Sequence, residues 1–419
     1  MHRRYREGMA SSTSSHPPVQ AGAPGSASGG SQVQVLWSPD FLQYDFGPGH
    51  PMAPTRLDLT VDLVRSLGIT EADGVDVVEP VSADDATIAR VHDVAYIQAV
   101  RAAAAGEEPD LSVGLGTVDD PVFPDIHVAA ARIFGASWDA AGAVWSGRTQ
   151  HAVNVAGGMH HAMPGAASGF CVYNDAVAAI RRLLDDGAER VAYVDLDAHH
   201  GDGVETAFWN DPRVLTVSVH QSPATLFPGT GYATDTGGPQ APGSAVNIAL
   251  PSRTTGAEWL RAVDAVVPEV LRAFEPQAVV SQHGCDSHSL DPLSDMRVSV
   301  RAQAQAARWI HDLTHELCDG RWVALGGGGY AVVEVVPFAW AHVLGIAAHR
   351  PIPDGTPVPD AWRERVRDLA ELEPPEVFEA ADVEFAAWDD GFDPDLGIDR
   401  AIQATRKAAF PLLGIHDPF

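Results

Sequence analysis

Arg190–Glu205 reads RVAYVDLDAHHGDGVE, an apolar run that ends abruptly in acids, imidazoles and glycines. Val191–Val194 has the short, β-branched character of a buried parallel-sheet strand. With a strand period of two, Asp195, Asp197 and His199 fall on one face. They lie at the carboxyl end of the strand, where open α/β sheets bind ligands. Two carboxylates and an imidazole on one face make half of a zinc or other divalent-metal site, still lacking a ligand from elsewhere. Gly201 and Gly203 are expected to turn the backbone sharply past it. A single Asp or His would be read as a solvated loop residue, but DxDxHH directly after an apolar strand points to a site.

The rest of the chain bounds this reading. At 419 residues it is long enough for one large α/β unit with tails. Asp and Glu number 56 against 27 Lys and Arg, a formal net charge of -29. That balance opposes nonspecific binding to nucleic acid or to an anionic membrane, and it suits cationic partners if it does more than maintain solubility. Three cysteines, Cys171, Cys285 and Cys318, are no disulfide framework and fit a reducing, cytoplasmic setting. No apolar run approaches the ~20 residues of a membrane span, and the basic N-terminus lacks the apolar stretch of a secretory signal.

Residues 1–32, rich in Ser, Gly, Ala and Pro, read as a disordered tail. A catalytic domain is expected over 33–349, starting with a strand at Val33–Trp37. The loop YDFGPGHPMAPTR follows, in which a salt bridge is expected of Arg56 and a loop-shaping hydrogen bond of His50. Strands at 75–80, 152–155, 214–220, 246–250, 278–281 and 322–325 alternate with helical patterns, the signature of a mainly parallel sheet covered on both faces. Several of these strands run into chemically rich loops. The strand at 152–155 leads to AGGMHHAMPGAASGFCVYND, where His160 and His161 suggest acid/base work. Gly169 and Phe170 stand as the wall of a narrow pocket or, for Phe170 alone, as ordinary core. The strand at 278–281 runs into QHGCDSH, where Asp286 is the natural third ligand and His283 and His288 are rivals. The last strand ends in GGGGY, which allows close backbone approach and brings the phenol of Tyr330 toward the site; a phosphate-cradling loop is the weaker alternative. The loop 107–124 offers Asp110 and Asp119 as rim residues. Residues 350–419, acid- and proline-rich with one short helix at 398–410, read as an extension packed on the domain.

In this order, GGMHHAMPGAASGFCVYND, YVDLDAHHGDGVE, LFPGTG, QHGCDS and GGGGY resemble the zinc-dependent histone deacetylase family, over about Tyr44 to Gly345. YDFGPGHPMAPTR, GLGTVDDPVFPD and QHGCDSHSLDPL look most like its bacterial acetoin utilization branch. The resemblance implies the arginase/deacetylase fold, an eight-stranded mainly parallel sheet between helical layers. It implies zinc on Asp197, His199 and Asp286, with Fe2+ also suited to that donor set. Asp195 is implied to orient His160, and Asp202 to orient His161, with His161 as general base and then acid, His160 as electrostatic partner and Tyr330 stabilising the oxyanion. His200 is left without a role. A structural K+ is implied at Asp195, Asp197, His199, Ser218 and Val219. For substrate, Asp110, Gly169, Phe170, Phe227 and Leu293 are implied, lining an apolar tunnel and its rim, with Asp119 as the alternative rim acid.

The loop after His161 lacks the lysines common in nuclear members, so histones are not the expected substrate. Acetyl-lysine on proteins is, with an acetyl-CoA synthetase as an example of a partner; small acetylated amines such as acetylpolyamines are the rival. A di-manganese ureohydrolase would need a carboxylate where His288 stands, and a non-catalytic binder would not keep every catalytic position filled.

Overall fold

The computed structural model describes residues 31–370 and 372–416. The N-terminal tail expected over 1–32 thus lies, up to residue 30, outside the described residues. Eight strands form one sheet: β1 (Ser31–Leu36), β2 (Val75–Val78), β3 (Thr149–Asn154), β4 (Val191–Asp195), β5 (Val214–Gln221), β6 (Ala245–Leu250), β7 (Ala278–Gln282) and β8 (Trp322–Leu325). Their order is β2-β1-β3-β8-β7-β4-β5-β6, and every neighbouring pair is parallel. This is the arginase/deacetylase arrangement expected from sequence, without an antiparallel member. Strands β4, β5, β7 and β8 are buried along their whole length. That is why β4 and β8 read as nearly unbroken apolar runs, while β5 and β7 bury Thr216, Ser218 and Ser281 as well.

The helices in chain order are α1 (Thr55–Ser66), α2 (Asp85–Ile88), α3 (Val94–Ala104), α4 (Ile126–Trp145), α5 (Asp175–Asp185), α6 (Asp202–Phe208), α7 (Gly256–Phe274), α8 (Val300–Cys318), α9 (Val336–Ala347), α10 (Asp360–Ala370) and α11 (Gly397–Ala409). One layer contains α3, α4 and α5, the other α1, α7, α8 and α9, and both meet the central strands. Helix α7 starts at a Thr255/Glu258 capping box and turns Leu260, Val263, Val267 and Val270 inward. Helix α9 was not legible from periodicity, since every one of its residues is buried and the sequence is apolar all round.

Past residue 350 the chain folds back onto this body. Besides the helix expected near its end, it forms α10, whose Trp362 indole donates to the Leu59 carbonyl at 2.9 Å. Only Trp362 and Val366 of that helix are buried, too little pattern to detect. Helix α11 covers the edge strand β6, with Thr405 Oγ1 donating to the Asn247 carbonyl at 2.7 Å. Asp399 meets Arg261 of α7 in a buried, two-pronged ion pair at 2.8 and 2.9 Å.

Candidate active site

The order β3-β8-β7-β4 places four chain-distant loops side by side at the carboxyl end of the sheet. The loop after β4 brings Asp197 and His199, and the loop after β7 brings Asp286. His199 Nδ1 lies 3.1 Å from Asp197 Oδ1 and 2.9 Å from Asp286 Oδ2. Each carboxylate spends its other oxygen on fixed donors. Asp197 Oδ2 accepts from Gln282 Nε2 at 2.7 Å and from the Gly328 amide at 2.8 Å, and Asp286 Oδ1 accepts from the Ala198 amide at 2.7 Å. Both carboxylates are buried, and no lysine or arginine pairs with them among the described residues. Burial opposes charge on His199, yet Asp286 and Asp197 prevail and raise it to about 10. Burial and then Asp197 push Asp286 up. Such a trio demands positive charge at its centre, and its one imidazole and two carboxylates fit a divalent cation.

Beside it stand the two histidines of the β3 loop. His160 Nδ1 meets Asp195 Oδ2 at 2.8 Å, and His161 Nδ1 meets Asp202 Oδ1 at 2.7 Å. Carboxylates only accept, so both Nδ1 atoms carry hydrogen and both Nε2 atoms face the site. The two then diverge. Burial opposes charge on His160, but Asp195, Asp197 and Asp202 together raise it to about 9. For His161, burial and the charge of His160 outweigh Asp202 and lower it to about 4. Burial and neighbouring charge thus push the two rings in opposite directions, His160 toward the charged form and His161 toward the neutral one. The loop itself is held by residues the sequence reading had quoted without giving them roles. Asp175 accepts from the Gly158 and Met159 amides, and Asn174 Nδ2 donates to the His160 and Ala162 carbonyls.

Tyr330 sits half-buried at the end of the glycine run after β8, and its amide donates to Asp291 Oδ2 at 2.7 Å. Asp291 also accepts from the Leu293 amide at 2.9 Å, which ties that half-buried leucine to the tyrosine loop. Burial, then Asp286 and Asp197, holds the phenol well above its usual range, so it remains a donor. The Phe170 ring lies edge-on to Tyr330 with centroids 5.7 Å apart, and Phe227 lies edge-on to His161 at 5.0 Å. Phe170 is half-buried, packed against the core on one side and beside Tyr330 on the other. Between the two rings, Gly169 has φ +55°, and a Cβ there would come within 2.5 Å of His161 Cδ2.

Elsewhere the geometry departs from expectation. Gly201 has φ -75° and turns nothing unusual; a Cβ there would press to 2.4 Å on Asp195 Oδ2, so its need is for space. Arg56 makes no salt bridge among the described residues, but donates to the Gly327 carbonyl at 2.7 Å and stacks over Trp340. His283 bonds Ser281 and His288 accepts from the Leu290 amide, so neither joins the trio. His200 bridges Thr230 and Glu205, a structural tie to the Phe227 loop. Asp110 is exposed and spends its carboxylate on the Ser112 amide and hydroxyl. Asp119 is also exposed; its backbone carbonyl meets His50 Nε2 at 3.2 Å, and the His50 ring packs 4.6 Å from Phe170. His50 also accepts from the Met52 amide, shaping its loop. Asp195 and Ser218 are register partners on β4 and β5, with Val219 next along.

An all-parallel sheet carrying a carboxylate–imidazole trio able to hold a divalent metal, beside a carboxylate-backed histidine pair, supplies the parts of a metal-assisted hydrolase, and the family the chain matches makes it one that acts on amide bonds. Residues 50–347 match the histone deacetylase domain, and the chain belongs to that family. It is 40% identical over 330 residues to the acetoin utilization protein AcuC of Bacillus subtilis (strain 168), covering 78% of this chain and 84% of that one. It is also 34% identical over 331 residues to AcuC of Staphylococcus xylosus, covering 78% and 85%. For AcuC of Staphylococcus aureus (strain MSSA476) the identity is 33% over 328 residues, covering 78% and 84%. No helix among the described residues is long and apolar enough to cross a membrane.

Proposed function

We propose that the protein removes acetyl groups from lysine side chains of cytoplasmic proteins, as a deacetylase of the acetoin utilization type. The observation that carries this reading is the split histidine pair facing the trio, between aromatic walls. Zinc or Fe2+ held by Asp197, His199 and Asp286 would supply Lewis acidity toward water and the acetyl carbonyl. His161 takes the proton of the attacking water at Nε2 and returns it to the leaving amine. His160, held charged by Asp195, stabilises the developing negative charge, and the Tyr330 hydroxyl donates to the carbonyl oxygen as it gains charge. Phe170, Gly169 and Phe227 pass a lysine methylene chain, with Leu293 and an acidic rim beyond. Potassium on Asp195, Asp197, His199, Ser218 and Val219 would brace the β4 exit. The relatives' name, acetoin utilization protein, supports a substrate in acetoin metabolism, such as an acetyl-CoA synthetase, rather than a histone.

The net charge of -29 favours one other reading, hydrolysis of small cationic acetylated amines. Kinetics on acetyl-lysine peptides beside acetylpolyamines, after defined metal loading, separates the two. Turnover of the peptides is expected; turnover confined to the small amines overturns the protein-substrate reading.

A further inference from the structure

At the opposite end of the sheet, four histidines from three distant segments meet. His151 lies in the first half of β3 and is fully buried, His311 and His315 lie one turn apart on α8, and His349 follows α9. Their Nε2 atoms converge. His349 to His151, His151 to His315, and His315 to His311 are each 3.2 Å apart. An imidazole nitrogen has one lone pair or one hydrogen in the ring plane, so it forms one good hydrogen bond. Three contacts strung through four Nε2 atoms therefore cannot all be hydrogen bonds: the middle pair, His151 and His315, would each have to serve twice. A cation at the centre uses every lone pair once. With metal–nitrogen bonds of ~2.0–2.1 Å, the corners of a tetrahedron stand roughly 3.3–3.4 Å apart, close to the spacing seen, whereas neighbouring corners of a square stand roughly 2.9 Å apart.

One further feature aims a ring inward. Asp312 Oδ1 lies 3.2 Å from His311 Nδ1, the carboxylate-behind-histidine arrangement that turns the other nitrogen toward a metal.

We propose that His151, His311, His315 and His349 form a second metal site, an all-imidazole tetrahedral centre for Zn2+. It shares no residue with the Asp197–His199–Asp286 trio. With no open position for water, its role is structural, fastening β3, α8 and the turn after α9, from which the C-terminal extension departs.

The test uses the full-length, tag-free protein, stripped by chelation, reloaded with Zn2+ and freed of excess. Elemental analysis is expected to give two zinc per chain in the wild type. One should remain in Asp197→Ala/Asp286→Ala and one in His311→Ala/His315→Ala. The aspartate variant isolates the histidine site: zinc should raise its melting temperature, and adding the exposed His315→Gln should weaken its zinc binding by about 100-fold or more. Asp312→Asn should weaken it about 10-fold. An aspartate variant that retains no zinc while the wild type retains one overturns the histidine site and leaves the trio standing. A wild type whose single zinc survives in the aspartate variant overturns the trio and leaves the histidine site standing. Circular dichroism of each variant identifies any loss of zinc that is only loss of fold, and His315→Gln, on the surface, provides the arm least exposed to it.

Discussion

The Nε2 atoms of His160 and His161 lie 3.0 Å apart, while their Nδ1 atoms turn away to two different carboxylates. Adjacent residues of one type are thus pushed in opposite directions, because Asp195, Asp197 and Asp202 overcome burial at His160 while burial and the charge of His160 prevail at His161. His161→Ala is expected to lower kcat by at least ~100-fold, and Tyr330→Phe by about 100–1,000-fold. Metal content should be unchanged in both. Steady-state kinetics with elemental analysis checks this; near-wild-type rates in both variants contradict the assigned roles.

Gly169→Ala should close the tunnel. The added Cβ meets His161 Cδ2 at 2.5 Å and Phe227 at 3.1 Å, and the residue must hold φ +55°. Turnover of acetyl-lysine peptides is expected to fall by roughly 10–100-fold for a misplacement of this kind, with a change in melting temperature of only a few degrees, since the position lies in a loop at the mouth of the site. Unaltered kinetics would mean that the wall yields.

Of the two acids considered for the rim, Asp119 adjoins the His50–Phe170 pair and Asp110 is occupied with Ser112. Asp119→Asn should raise KM for acetylated peptides several-fold with little change for a small acetylated amine. Asp110→Asn should leave both alone. The reverse pattern would restore Asp110.

Buried neutral histidines make the fold acid-sensitive. Burial lowers His92 to about 4, His220 to about 3 and His283 to about 3, below the ~6.5 of an unfolded chain. Below that value the unfolded chain binds more protons than the folded one, so stability is full above about pH 6.5 and is lost as pH falls toward 4 and 3. Each such histidine contributes up to about 1.4 kcal/mol per pH unit. Urea unfolding between pH 7.5 and 4.5 should show this slope; a flat profile would mean these rings are solvated.

Asp399→Asn should destabilise the protein by roughly 3 kcal/mol, because it leaves the buried Arg261 guanidinium short of its counter-charge. Chemical denaturation measures the loss. An effect below ~1 kcal/mol would indicate that the carbonyls of Ala386, Ala387 and Gly391 suffice for Arg261.

The sequence by itself determined the sheet and the placement of chemistry on it. Buried parallel strands announce themselves as apolar runs, and ligands follow strand ends, so Asp197, His199, Asp286, the His160–His161 pair and Tyr330 could each be marked in one dimension. The apolar helix α9 and the largely exposed, charge-rich helix α10 had too little periodic contrast to be seen. What only the tertiary structure decided is adjacency. The order β3-β8-β7-β4 brings together loops as distant in the chain as those after Asn154 and Leu325, and pushes the neighbouring His160 and His161 in opposite directions of protonation. It also gathers His151, His311, His315 and His349 at the other end of the sheet. Each of these four looks like an ordinary strand, helix or loop residue in sequence, because the signal of a metal centre lies in convergence through space.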